Sequence, residues 1–143
     1  MAVKSAPKAA TVKVGDQLPM LVTEPITRTT LALYAGASGD HNPMHIDSDF
    51  AKRAGESDVF AHGMLNMAYL SRALLGYVPQ SSIRSFGVRF QSIVRVGETV
   101  TCSGKVVETF EAGGEKRAKL DLTATTSKGV VALKGEAVVA LGA

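Results

Sequence analysis

Asp40-His41-Asn42-Pro43-Met44-His45 gathers a carboxylate, a carboxamide and two imidazoles into six residues. Imidazole is the side chain best matched to proton transfer near neutral pH. A carboxylate beside it can orient the ring or hold a water, so the pair suits activation of water. Two plainer readings compete. Asp and Asn in turns ordinarily bond only their own backbone. His41 and His45 have the four-residue spacing of helical metal ligands, but Pro43 lies between them and keeps them off a common helix face, so no metal site is expected.

A second group is Ala61-His62-Gly63-Met64, which opens the most apolar stretch of the chain. Free backbone N–H groups at a helix start can stabilise a developing oxyanion. Glycine at position 63 lets a ligand approach the backbone closely, and an ordinary helix entry would use glycine equally well. Ser71, eight residues on, shares the face of Gly63. A buried serine there needs a partner, most simply a carbonyl of its own helix.

The elements that must carry these groups follow from hydrophobic period. Thr11 to Thr23 suits one or two short strands around the Gly15-Asp16 turn. Thr27 or Thr29 caps a short helix through Leu31, Leu33 and Tyr34. The polar loop Ser38 to His45 follows, then a short helix Ser48 to Ala54 with Ser48 as its cap. From Gly63 to Tyr77, apolar residues recur mostly at three- and four-residue steps with few polar interruptions (Asn66, Ser71, Arg72), which predicts a helix wrapped on most sides by a sheet. Gly76 and Pro79 end it. Strands are expected over Ile83–Val94, Glu98–Phe110, Glu115–Ser127 and Val130–Leu141, separated by glycine turns. Helices on one face of an antiparallel sheet make an α+β plan.

With 143 residues there is room for one domain with a real core. Hydrophobic residues make up 45% and charged residues 20%, the balance of a globular protein rather than a membrane or disordered one. No run approaches the roughly 18 apolar residues that cross a bilayer, so no membrane association is expected. The net charge of +3 resides in Lys4, Lys8 and Lys13, and the rest of the chain is balanced, which argues against nucleic acid as a partner. One cysteine, Cys102, cannot form an internal disulfide; it reads as a small buried hydrophobe in a cytoplasmic protein. Residues 1–10, rich in Ala and Lys, read as a disordered tail.

Together these pieces resemble the MaoC-like, or (R)-specific enoyl-CoA hydratase, family. That pattern is an aromatic residue, a small-residue spacer, Gly-Asp-x-Asn-Pro-aliphatic-His, and Ala or Ser six residues beyond. The chain has Tyr34, Ser38-Gly39-Asp40-His41-Asn42-Pro43-Met44-His45 and Ala51, then His62-Gly63-Met64-Leu65 at the head of the apolar helix. Arg89-Phe90 followed by Val96-Gly97-Glu98 is similar to the strand after that helix, with Ile93 where many members have proline.

The resemblance implies a single hot-dog domain over residues 11–143, an antiparallel sheet wrapped around a long central helix. It implies that Asp40 and His45 activate one water for addition to a trans-2-enoyl thioester, or its removal in reverse, without a cofactor or metal. Gly63 would donate its N–H to the thioester oxygen, Ser71 would help hold Asp40, and Asn42 and His62 would support the loop. The substrate carrier would be coenzyme A or an acyl carrier protein, and Arg84, Arg89 and Arg95 are candidates to meet its phosphates. A homodimer or higher homo-oligomer is expected, because an open sheet edge needs covering. Other readings are the catalytic subunit of a fatty-acid-synthase dehydratase, a thioesterase and a non-catalytic acyl-binding module.

Overall fold

Alternation along the second half of the chain builds the sheet of the computed structural model, which describes residues 5–143. In strand β4 (Glu115–Thr126), Ala118, Leu120, Leu122 and Ala124 are buried, while Lys119, Asp121 and Thr123 point to the other face. Its neighbours are β3 (Val100–Ala112) and β5 (Val131–Ala140), and the outer strands are β1 (Leu21–Val22) and β2 (Ile83–Phe90). The order is β1-β3-β4-β5-β2, antiparallel throughout, so β2 is an edge. Gly113 and Gly114, at φ +60° and +74°, join β3 to β4 in a two-residue turn. Positive φ at both positions gives the hairpin a twist that matches its strands, and glycine adopts it without strain.

Four helices pack on or beside one face: α1 (Arg28–Ser38), α2 (Pro43–Ile46), α3 (Ser48–Arg53) and α4 (Gly63–Tyr77). Helix α4 runs over the expected residues and lies against β1, β3, β4 and β5. Leu70 and Leu74 on its inner face are wholly buried, each stabilising the fold by about 1.5–3 kcal/mol. This is the hot-dog arrangement. The enclosure is less complete than the period predicts, because Met64 and Leu75 on the other side of α4 are exposed. A five-stranded open sheet covers only one flank of a helix.

Several boundaries differ from expectation for local reasons. Thr27 caps α1, accepting from the Thr30 N–H. Asp47, not Ser48, caps α3: its carboxylate accepts from the N–H groups of Asp49 and Phe50 and carries charge favourable to a helix start. The loop before it contains the short helix α2, which starts on Pro43, whose ring pre-sets φ and whose missing N–H is no loss at that position. Strand β2 stops at Phe90 because the N–H groups of Gln91 and Ser92 both turn to the Ala132 carbonyl. The backbone then continues beside Phe60 and Ala61, with Ala61 N–H bonded to the Val94 carbonyl at 2.9 Å. Cys102 is buried in β3, where burial pushes its thiol up to about 11.

The segment expected as a tail is tied down in its last residues. Ala9 N–H donates to Gly142 O and Gly142 N–H to Pro7 O, each at 2.8 Å, so the segment around residues 7–9 pairs with the one around Gly142. The rest of that expectation, residues 1–4, lies outside the described residues.

Candidate active site

Helix α2 is what brings His45 indoors. Asn42 caps it, its side-chain oxygen accepting from Met44 N–H at 3.0 Å, so this residue's role is to fix the turn. Three residues on, His45 is 9% exposed and faces Phe60. Its Nδ1 lies 2.7 Å from the Phe60 carbonyl. A carbonyl only accepts, so Nδ1 carries the proton and, in the neutral ring, Nε2 keeps the basic lone pair. Phe60 is held in turn by the pairing of its segment with Arg95.

Asp40 sits at the start of the same loop, exposed to solvent. Its Oδ1 accepts from Asn42 N–H at 3.2 Å, and its own N–H donates to Ser38 Oγ at 3.2 Å. One carboxylate oxygen thus closes the turn, and the other has no hydrogen-bond partner among the described residues. The Asp40 carbonyl accepts from His62 Nε2 at 3.1 Å. Because His62 spends its Nε2–H there, its Nδ1 is the bare nitrogen, and that atom is buried without a partner among the described residues.

Asp40, His45 and His62 each offer an atom within 4.8 Å of those of the other two. His62 is fully buried, stacked on His45 with ring centroids 4.0 Å apart and planes 27° apart, and edge-on to Tyr34. Burial, with the nearby His45 adding to it, holds the His62 pKa below the ordinary imidazole value, although its bond to the Asp40 carbonyl opposes this. A metal must lie in the plane of each ring that ligates it. Two stacked planes do not converge on one ion, so this arrangement serves proton transfer better than metal binding.

Helix α4 begins at Gly63 directly after His62. The N–H groups of Leu65 and Asn66 bend back to the His62 carbonyl, whereas those of Gly63 and Met64 find no acceptor among the described residues. Unpaired amides at a helix start carry the positive end of its dipole. A cleft of about 310 Å³ opens here, lined by His45, Gly63, Asn66, Phe90, Ile93 and Leu133 among others. A methyl group at position 63 would come within 3.0 Å of Phe90 Cδ1, so glycine keeps this wall open. His45 and Gly63 thus share one cleft, while Asp40 stands beside His45 and is not part of the lining.

Other expected residues are placed elsewhere. Ser71 donates to the Ala68 carbonyl of its own helix at 2.7 Å and makes no hydrogen bond to Asp40. A hydroxyl facing a carbonyl one turn back satisfies itself locally. Arg84 grips both oxygens of Glu115, at 2.7 and 3.0 Å, and Arg95 pairs with Glu56 at 2.9 Å. Arg89 alone of the three has no carboxylate partner among the described residues; it lines a shallow groove on the sheet with Lys105 and Lys134, away from the cleft. Two contributors were not singled out from sequence. The Phe60 carbonyl gave no side-chain signal. Asn66 did give one, as a carboxamide three residues from Gly63 in an apolar stripe.

The chain matches the MaoC like domain over residues 9–128. It is 33% identical over 137 residues to an (R)-specific enoyl-CoA hydratase of Rhodospirillum rubrum, which covers 90% of this chain and 87% of that one. A mitochondrial 3-hydroxyacyl-[acyl-carrier-protein] dehydratase of Arabidopsis thaliana is 32% identical over 88 residues, 62% of this chain and 52% of its own length. Among solved structures, the unliganded R-hydratase of Pseudomonas aeruginosa superposes with a TM-score of 0.81 at 26% identity, covering 94% of this chain and 85% of that one. The (R)-hydratase of A. caviae involved in PHA biosynthesis gives 0.80 at 29%, covering 94% and 100%.

Proposed function

This chain belongs to the MaoC like domain family, and from that premise we propose that it adds water to trans-2-enoyl thioesters to form (R)-3-hydroxyacyl thioesters, or runs the reverse dehydration. The observation that carries the reading is the fixed tautomer of His45. With Nδ1–H committed to the Phe60 carbonyl, Nε2 is the basic atom of a ring that lies near the Asp40 carboxylate and lines the cleft with Gly63.

In this reading a water sits between Asp40 and His45 Nε2. Nε2 takes its proton as the oxygen bonds to C3 of the enoyl group. The C2–C3 π electrons move toward the thioester, and the Gly63 N–H meets the charge that develops on its oxygen. His45 then returns the proton to C2. Holding water, base and amide in one geometry supplies much of the rate.

The carrier is coenzyme A or an acyl carrier protein, since relatives of both kinds resemble the chain. A homodimer is part of the proposal, for β2 is an open edge and Phe90 beside the cleft is 54% exposed. The test is hydration of enoyl-CoA and enoyl carrier-protein substrates, followed by loss of enoyl absorbance and by product stereochemistry. Turnover to the (R)-hydroxyacyl thioester is expected. Release of free thiol would identify a thioesterase instead, and acyl binding without turnover a non-catalytic module.

A further inference from the structure

Asn66 occupies a core position of α4. It lies in the same buried set as Leu65, Leu70, Ala73 and Leu74, and it is 2% exposed. An apolar side chain is the ordinary occupant of such a position. Its carboxamide oxygen Oδ1 is buried with no hydrogen-bond partner among the described residues. A buried amide left unpaired is costly, and each such group in a folded protein calls for an explanation.

The surroundings supply one. Asn66 lines the cleft with His45 and Gly63, one helical turn inward from the free Gly63 N–H. The exposed residues of the lining, Phe90, Gln91, Ser92 and Ile93, mark the mouth in one protomer, and the buried ones, His45, Ala61, Asn66, Val94 and Leu133, mark the interior. A thioester whose carbonyl rests on Gly63 and whose carrier leaves by the mouth then directs its acyl chain into the buried part of the cleft, where Asn66 supplies the carboxamide. A four-carbon acyl group leaves room for a water that completes the hydrogen bonding of the amide. A long alkyl chain expels that water and puts methylenes against a bare amide.

We infer that Asn66 is a specificity-determining residue that makes this enzyme selective for short acyl chains, because the buried amide keeps a water that a longer alkyl chain would displace. The inference rests on the hydratase reading for its substrate class. Its chemistry, polarity at the acyl end of the cleft, is testable by binding alone.

The experiment compares wild type with Asn66→Leu and with Asn66→Val, which is close to asparagine in size, so that neither variant enlarges the cleft much. Rates are read with crotonyl-CoA and 2-octenoyl-CoA, and affinities by calorimetry with butyryl-CoA and octanoyl-CoA. Wild type should favour the four-carbon substrate, and either variant should raise the eight-to-four ratio of kcat/KM, and of affinity, by about tenfold. Should one variant fail to fold, the other reads the same ratio. Equal use of both chain lengths by wild type, or an unchanged ratio in the folded variants, overturns the inference. If no enoyl thioester is turned over but the affinity ratio shifts as stated, the hydratase reading falls and the role of Asn66 stands.

Discussion

The rings of His45 and His62 stack face to face, 4.0 Å between centroids, at the inner end of the Asp40 loop. Two imidazolium ions cannot comfortably share such a stack, since like charges at that distance disfavour one another. His62 is the fully buried member, and its Nε2–H is committed to the Asp40 carbonyl. In the proposed reaction this arrangement suits His45 to carry the mobile proton and His62 to support it.

Asp40→Asn and His45→Gln should each lower kcat for enoyl-thioester hydration by about 10²- to 10⁴-fold, the usual worth of a positioned acid–base group. Circular dichroism should be unchanged, because each substitution keeps a hydrogen-bonding side chain of similar size in place. Steady-state kinetics checks this, and wild-type rates in both variants would refute the assignment.

The stack also predicts a pH dependence of stability. The folded pKa of His62 lies below its ordinary 6.5, so the unfolded chain binds a proton there before the folded one does. Stability is therefore full above about pH 6.5 and declines as pH falls below it. Urea midpoints measured from pH 7.5 to 5 should show that decline. His62→Gln, which keeps a donor for the Asp40 carbonyl but cannot titrate, should flatten it.

Gly63→Ala separates catalysis from folding. The added methyl meets Phe90 Cδ1 at 3.0 Å and Cε1 at 3.1 Å, and the half-exposed phenyl ring can swing aside. Gly63 is the first residue of α4, where the helix-interior cost of glycine applies only in part, so thermal stability should hold. The displaced ring and the methyl crowd the approach to the free N–H, and kcat/KM should fall by about tenfold or more, by analogy with loss of an oxyanion donor. Adding Phe90→Leu should restore part of the loss.

Arg84 should behave as a structural residue. Its bidentate grip, with help from Arg117, holds the Glu115 carboxyl down to about 2 from 4.5. A depressed carboxyl pKa stabilises the fold above its unfolded value and loses that contribution as pH falls from about 4.5 toward about 2. Arg84→Ala should lower the denaturation midpoint at pH 7, the difference from wild type shrinking across that acid window. Its KM for an acyl-CoA should change by less than about twofold, because the guanidinium is already occupied on the sheet.

Sequence alone determined the main elements and the candidate loop. The period of Gly63–Tyr77 marked α4 to the residue, the alternation around Leu120 and Leu122 marked the sheet, and the resemblance carried by Gly-Asp-x-Asn-Pro-x-His marked the candidate loop. These are local signals, set by how side chains repeat along a helix or a strand. Tertiary structure decided what each polar group does. Which nitrogen of His45 is basic depends on a carbonyl 15 residues away, and why His62 stays neutral depends on burial between Tyr34 and His45. Ser71 took the carbonyl of its own helix, at Ala68, as local chemistry suggests, whereas Arg84 was drawn to Glu115 by a partner that no spacing rule names. Asn66 gained meaning only when the packing of α4 left its amide unpaired beside a cleft. Hydrogen bonds and protonation respond to whatever the fold brings within about 3 Å, and that is long-range information a linear pattern does not hold.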